Sequence, residues 1–152
     1  MNIAIASDHM GLELKNYLQD TLTQLGHSIV NCGTDSIDRC HYPVFAERAA
    51  KLVTSGACDR AVLICGTGIG MSIAAAKVPG IRAVVGYDVY SAQMARKHND
   101  TNVLCLGART MGIDSAVAVL KTWLTTPYEG GRHDIRLRMI TDLESGKSVQ
   151  AD

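Results

Sequence analysis

The residues with the plainest chemical capacity lie together in Cys65-Gly66-Thr67-Gly68-Ile69-Gly70. A thiol closes a short apolar run. Three alternating glycines then lead into an Ala-rich segment of good helix formers. That order predicts a buried strand, a tight loop and a helix start. Amides at such a junction point out of the helix N-terminus and suit an anion. The stretch is no Walker loop, because no Gly-Lys-Ser/Thr follows, and its alternating glycines do not match the dinucleotide fingerprint. Met71-Ser72 stand where a cysteine phosphatase loop needs an arginine. What remains is a nest of amides around a developing oxyanion, where one donor contributes ~3–4 kcal/mol in a transition state. The competing reading is close strand–helix packing. Cys65 is either a base or nucleophile, with its thiolate made accessible by the helix start, or a small buried hydrophobe. Cys32 and Cys105 also fall near strand ends but lack a glycine loop, and read as packing.

Asp8-His9 follows an apolar run at 2–6. An acid beside an imidazole offers proton transfer and, at a helix start, a phosphate contact. Asp8 can equally be a plain helix N-cap. His98-Asn99-Asp100 stands at the end of a helix, before a strand. There His98 either interacts with the helix dipole or reaches into a neighbouring subunit's crevice. Arg132 and Arg136 are four apart and share a face if the last helix starts early enough. Two guanidiniums on one face suit a phosphate, although solvated surface arginines give the same spacing. Tyr42, before Pro43, is either a substrate contact or packing.

The elements that must position these groups alternate along the chain. Apolar strand candidates cover 2–6, 28–32, 61–65, 82–86 and 103–106. Helical patterns cover 12–25, 43–54, the segment after Gly70, 89–97, 113–124 and 134–144. Gly26 is a C-cap signal, and Gly107–Thr110 forms a loop that carries Arg109. Alternation implies right-handed βαβ units around a parallel sheet with both faces covered. For five strands the expected order is 2-1-3-4-5, with its switch point between the first and third. That arrangement puts the Asp8-His9 loop beside the Cys65–Gly70 loop at the strands' carboxyl ends. It puts His98 at the far edge.

Bulk composition narrows the function. The chain has 152 residues, with 15 basic and 15 acidic side chains. That length suits one domain with a proper core. The charge balance argues against a nucleic-acid or membrane-surface binder. No apolar run approaches the ~20 residues of a membrane span, and the start lacks the form of a secretory signal. Five cysteines, scattered and without a C-x-x-C pair or finger spacing, predict free thiols in a reducing cytoplasm and no metal site.

Taken together, these residues resemble the ribose 5-phosphate isomerase B family, which includes galactose 6-phosphate and allose 6-phosphate isomerases. The resemblance spans nearly the whole chain. It rests on Asp8-His9, Tyr42-Pro43, the Cys65–Gly70 stretch, Tyr90-Ser91-Ala92, His98-Asn99-Asp100-Thr101-Asn102 and Glu129-Gly130-Gly131-Arg132-His133. It implies a Rossmann-like three-layer α/β/α domain over residues 1–152. A C-terminal arm and helix, from about 128, would serve oligomerisation. The implied activity is a cofactor-free, metal-free aldose–ketose isomerase, working as a dimer or tetramer with sites shared between subunits. Position by position, Cys65 would be the proton-transfer base between C1 and C2. Thr67 and the amides of Gly66, Gly68, Ile69 and Gly70 would hold the enediolate oxygens. Asp8 and His98 would open the sugar ring, and Asn99 and Tyr42 would contact hydroxyls. His9, Arg109, Arg132 and Arg136 would bind the phosphate. His41 stands where the family often has Asp, and Ala76 where many relatives have Asn. Ribose 5-phosphate is the first expectation, with allose 6-phosphate, galactose 6-phosphate and tetrose or tetrulose phosphates as alternatives. A non-catalytic sugar-phosphate-binding module is the rival of another class.

Overall fold

The computed structural model describes residues 1–151. Five parallel strands form one sheet: β1 (Asn2–Ser7), β2 (Ser28–Asn31), β3 (Arg60–Cys65), β4 (Ala83–Val85) and β5 (Val103–Gly107). Six helices alternate with and follow them: α1 (Leu12–Gln24), α2 (Tyr42–Thr54), α3 (Ile69–Ala75), α4 (Val89–Asn99), α5 (Ile113–Thr125) and α6 (Arg132–Glu144).

Side-chain alternation along the strands separates two cores. Ile3, Ile5, Val62, Ile64, Leu104 and Leu106 face α1, α4 and α5, where Leu18, Leu22, Ala92, Leu120 and Trp123 meet them. Ala4, Ala6, Ala61, Leu63, Cys65 and Cys105 face α2 and α3. Alanines on both partners, with Ala46, Ala49 and Ala50 on α2, let that helix lie close to the sheet. Both faces are therefore covered, as a parallel sheet requires. The last helix, α6, packs against α4.

The expected parallel α/β architecture is present, but the strand order is β2-β1-β3-β5-β4 rather than 2-1-3-4-5. β5 pairs with β3 through Ala61↔Val103 and with β4 through Ala83↔Val103. The physical reason is burial. All five residues of β5 are buried, whereas β4 has three residues, each only half-buried. The short strand takes the edge and the apolar one the interior. The switch point between β1 and β3 is unchanged. The exchange gives the loop after β5 a place beside the loop after β3.

A buried lysine anchors the segment that leads to α2. Lys15 of α1 is fully buried, and its Nζ donates to the Thr34 carbonyl at 2.7 Å, Asp35 Oδ1 at 2.6 Å and Asn31 Oδ1 at 3.3 Å. Hydrogen bonds from Lys15, then from Asn31, hold the Asp35 carboxyl below its ordinary range. A depressed carboxyl contributes stability above its unfolded pKa and loses it as pH falls through the folded value. Asp35→Asn is therefore expected to lower the urea unfolding midpoint at neutral pH. Its deficit relative to wild type should shrink as the buffer drops below about pH 4. A deficit of equal size at both pH values would rule out the ion pair as its source.

Candidate active site

The carboxyl ends of β1, β3 and β5 continue into three loops that are hydrogen-bonded to one another. The Asp8 amide donates to the Ile64 carbonyl at 3.3 Å. The amides of Ala108 and Arg109 donate to the carbonyls of Cys65 and Gly66, each at 2.9 Å. Asp8, His9, Cys65, Thr67 and Arg109 thus share one edge of the sheet.

Cys65 is the last residue of β3 and is 5% exposed. The Gly68 amide turns back and donates to its Sγ at 3.1 Å. That turn needs Gly68 at φ 78°, a left-handed conformation that glycine adopts without steric cost. The Ile69 amide donates to Thr67 Oγ1 at 3.3 Å, and Thr67 itself is exposed. Two of the loop amides therefore have partners inside the loop: the thiol and the hydroxyl that were singled out in the sequence. Burial pushes the Cys32 thiol up to about 11, raises Cys58 and raises Cys105 further still. Those thiols stay protonated and act as packing, as the sequence reading of Cys32 and Cys105 has it.

Around this loop, Asp8 is buried and its Oδ1 accepts from the amides of Met10 and Gly11 at 2.9 and 3.2 Å. It closes the turn before α1, whose N-cap is Gly11 without a side-chain cap, so Asp8 is not the helix N-cap. His9 Nδ1 accepts from the Cys40 amide at 3.4 Å, with Cys40 Sγ at 3.7 Å. An accepting Nδ1 leaves the ring proton on Nε2, free to be donated. Tyr42 opens α2 and lies over the glycine loop. A Cβ added at Gly70 would stand 2.7 Å from its ring. Arg109 is exposed, with its guanidinium 4.0 Å from Met10 Sδ. It borders a cavity of about 370 Å³ that is also lined by Met10, Glu13, Leu14, Met111 and Ile113. Cys65 is not part of that wall.

The remaining candidates lie elsewhere. α4 leads from β4 into β5, so His98 and Asn99 at its C-terminus sit at the amino-end edge of the sheet, opposite Cys65. Helix α6 begins at Arg132, early enough to put Arg132 and Arg136 on one face. His98 stacks on His133, with ring centroids 4.3 Å apart and planes at 17°. Glu129 Oε2 lies 3.9 Å from His98 Nε2 and 3.8 Å from His133 Nε2, while Lys97 holds Oε1 at 3.2 Å. Burial, then the neighbouring His98, Arg132 and Arg136, depresses the His133 pKa, so the ring is neutral near pH 7. Glu129 and His133 received no individual role from the sequence. Their i, i+4 spacing beside Gly130-Gly131 was the available signal.

Asp100 fixes where α4 stops. It is the non-glycine residue with positive φ, at 43°, among the described residues. Its carboxylate takes Arg82 at 2.9 Å and the buried Arg96 at 2.8 Å. This clamp sets the two preceding residues, His98 and Asn99, at the helix end.

An open parallel sheet with a thiol at the end of its central strand, beside an amide loop at the switch point, defines a small-molecule enzyme of the α/β class. Comparison with known proteins narrows that class. The family described as Ribose/Galactose Isomerase matches residues 3–140. Ribose-5-phosphate isomerase B of Escherichia coli is 45% identical over 146 residues, which is 96% of this chain and 98% of that one. The D-erythrulose-4-phosphate isomerase of Pectobacterium atrosepticum is 42% identical over 132 residues, covering 86% of this chain and 87% of its own. The structure of ribose-5-phosphate isomerase B from Clostridium thermocellum superposes with a TM-score of 0.95 at 46% identity, covering 97% of this chain and all of that one. The chain belongs to the Ribose/Galactose Isomerase family and is an aldose–ketose isomerase.

The Asp100 clamp makes a prediction. Removing one partner of a buried ion pair costs ~3–5 kcal/mol. Arg96 also donates to the carbonyls of Thr101 and Thr126. Asp100→Ala is therefore expected to cost about 2–3 kcal/mol in urea unfolding, below the range for a stranded buried charge because Arg96 keeps those two carbonyls. Asp100→Gly should be about 1 kcal/mol milder, because it relieves the left-handed backbone. Equal losses would remove the backbone from the account.

Proposed function

We propose that this isomerase interconverts ribose 5-phosphate and ribulose 5-phosphate through a cis-enediolate, with Cys65 as the proton-transfer base. The observation that carries this reading is the Cys65 sulfur at the mouth of the amide loop, 3.1 Å from the Gly68 nitrogen. Asp8 and His98 open the furanose. Cys65 as thiolate then takes the C2 proton of the open-chain aldose. The C–H electron pair forms the enediolate as charge moves onto O1. Thr67 and the amides of Gly66 and Gly70 stabilise that charge, joined by the Gly68 and Ile69 amides as these turn from Cys65 Sγ and Thr67 Oγ1 to the substrate oxygen. The thiol returns its proton to C1, and the O2 proton passes to O1, leaving the ketose. One modest base and strong oxyanion stabilisation suffice for this chemistry.

The phosphate end supplies the positioning energy. His9 donates through Nε2, and Arg109, Arg132 and Arg136 supply charge. Tyr42 and Asn99 contact hydroxyls. Because His98, Asn99, Arg132 and Arg136 lie at the sheet edge opposite Cys65, we assign them to the site of a second copy. The functional unit is then a homodimer, or a tetramer built of such dimers. Exposed Ile135, Ile140 and Leu143 on α6, with Val89 and Tyr90 on α4, supply apolar surface for that association. One isomerase domain spans the chain, with the arm from about residue 128 joining the copies. No helix among the described residues is long and apolar enough to cross a membrane. The free cysteines support placing the enzyme in a reducing cytoplasm.

A second reading, a tetrulose phosphate as substrate, is favoured by the 42% identity to the Pectobacterium isomerase. His41 precedes Tyr42 as the N-cap of α2, and Ala76 closes α3 and lines a cavity with Asn99; these are the residues through which such a preference would act. The decisive experiment follows the C2 proton. In deuterated water, wild type should wash the C2 proton of ribose 5-phosphate out into solvent, with kcat/KM higher than for erythrulose 4-phosphate. Cys65→Ala should lose exchange by at least a thousandfold, yet still show a thermal shift with the sugar phosphate. Exchange at the wild-type rate in Cys65→Ala would remove Cys65 from the mechanism.

A further inference from the structure

His98, Glu129 and His133 are the one group of three potential metal donors among the described residues, with all donor atoms within 4.8 Å of one another. His133 is 5% exposed, and its Nε2 is a buried polar atom without a hydrogen-bond partner. Buried polar atoms rarely stay unpaired, and this one faces the Glu129 carboxylate at 3.8 Å, too far to bond. A gap of that size between two imidazole nitrogens and a carboxylate oxygen is what a small ion fills. Zinc with nitrogen and oxygen ligands near 2.0–2.2 Å needs donors roughly 3.3–3.5 Å apart. The present separations of 3.8 and 3.9 Å from Glu129 Oε2 to the two histidines exceed that by about half an ångström.

We propose that His98 Nε2, Glu129 Oε2 and His133 Nε2 bind a divalent transition ion of the zinc type, and that occupancy inhibits the enzyme by withdrawing His98. Two features shape the site. The rings lie nearly parallel, at 17°, so both must tip out of their stack for their lone pairs to converge. Lys97 holds the other Glu129 oxygen, and Arg132 and Arg136 act on His133, so the local field opposes a cation. An ion held chiefly by charge, such as magnesium or calcium, is disfavoured there and prefers oxygen donors in any case. An ion with strong bonds to imidazole is favoured. Binding itself rests on this geometry. Inhibition rests in addition on the ring-opening role proposed for His98.

The test is a titration of the full-length protein with zinc sulfate, followed by the ring-proton NMR signals of its five histidines and by ribose 5-phosphate turnover. One equivalent should shift the His98 and His133 signals and lower turnover, while magnesium should do neither. Glu129→Gln is an exposed, near-isosteric change that keeps the fold. It should bind zinc at least tenfold more weakly and resist inhibition to the same degree. His133→Ala should do likewise. Unmoved His98 and His133 signals at tenfold excess zinc overturn the site. Inhibition of equal strength in Glu129→Gln overturns the inhibitory role, because zinc then acts elsewhere, at Cys65. Zinc bound at the two histidines with turnover unchanged also overturns it and counts against ring opening by His98.

Discussion

The site depends on β3 having β1 on one side and β5 on the other, with pairing that runs past the strand ends. The Ile64 carbonyl takes the Asp8 amide, and the carbonyls of Cys65 and Gly66 take the amides of Ala108 and Arg109. Three loops that are far apart in sequence are thereby held at main-chain distance. Main-chain bonds of this kind are insensitive to side-chain rotamers, so the thiol, acid, imidazole and guanidinium inherit fixed starting points. The glycine loop then adds one turn that aims an amide back at the Cys65 sulfur. A parallel sheet buried on both faces is rigid enough to hold these groups to a fraction of an ångström, which oxyanion stabilisation demands.

The same sheet imposes a limit. Every strand runs the same way, so the end of any crossover helix lies at the amino-end edge. His98 and Asn99 close α4 there, and Arg132 and Arg136 open α6 beside them. The Asp100 clamp between Arg82 and Arg96 fixes that helix end, and the His98 ring rests there in its stack with His133. On the proposed roles, the two halves of the site therefore lie on opposite edges of the sheet. The proposed association of two copies would resolve the conflict, because a two-fold axis can bring the amino-end edge of one copy to the carboxyl-end edge of the other.

Much of this was legible in the residues. The run from Cys65 to Gly70 announced strand, loop and helix start, and alternation of apolar runs announced a parallel sheet. The edge conflict of His98 could be stated before any coordinates, because it follows from connectivity alone. The order of β4 and β5 was not legible, because strand pairing is a non-local choice decided by burial. Residues 83–85 and 103–107 read alike as apolar runs, and what separates them is how much of each the helices cover. The Lys15 anchor was equally hidden, since a lysine on a helical pattern reads as solvated until its burial is seen. The shared contact of Glu129 with His98 and His133 needed α4 and α6 to be packed together.

The central claim is that one catalytic centre takes Cys65 from one chain and His98 from another. Mixing is the most direct measurement. Cys65→Ala and His98→Ala chains, each inactive alone, are combined in equal amounts and allowed to exchange subunits. Half of the resulting dimers pair unlike chains, and each of these holds one intact site of two. The mixture should therefore recover ~25% of wild-type turnover if the sites are shared across a two-fold axis. No recovery, with subunit exchange demonstrated by tagged chains, would mean that each chain builds its site alone, and would contradict the account.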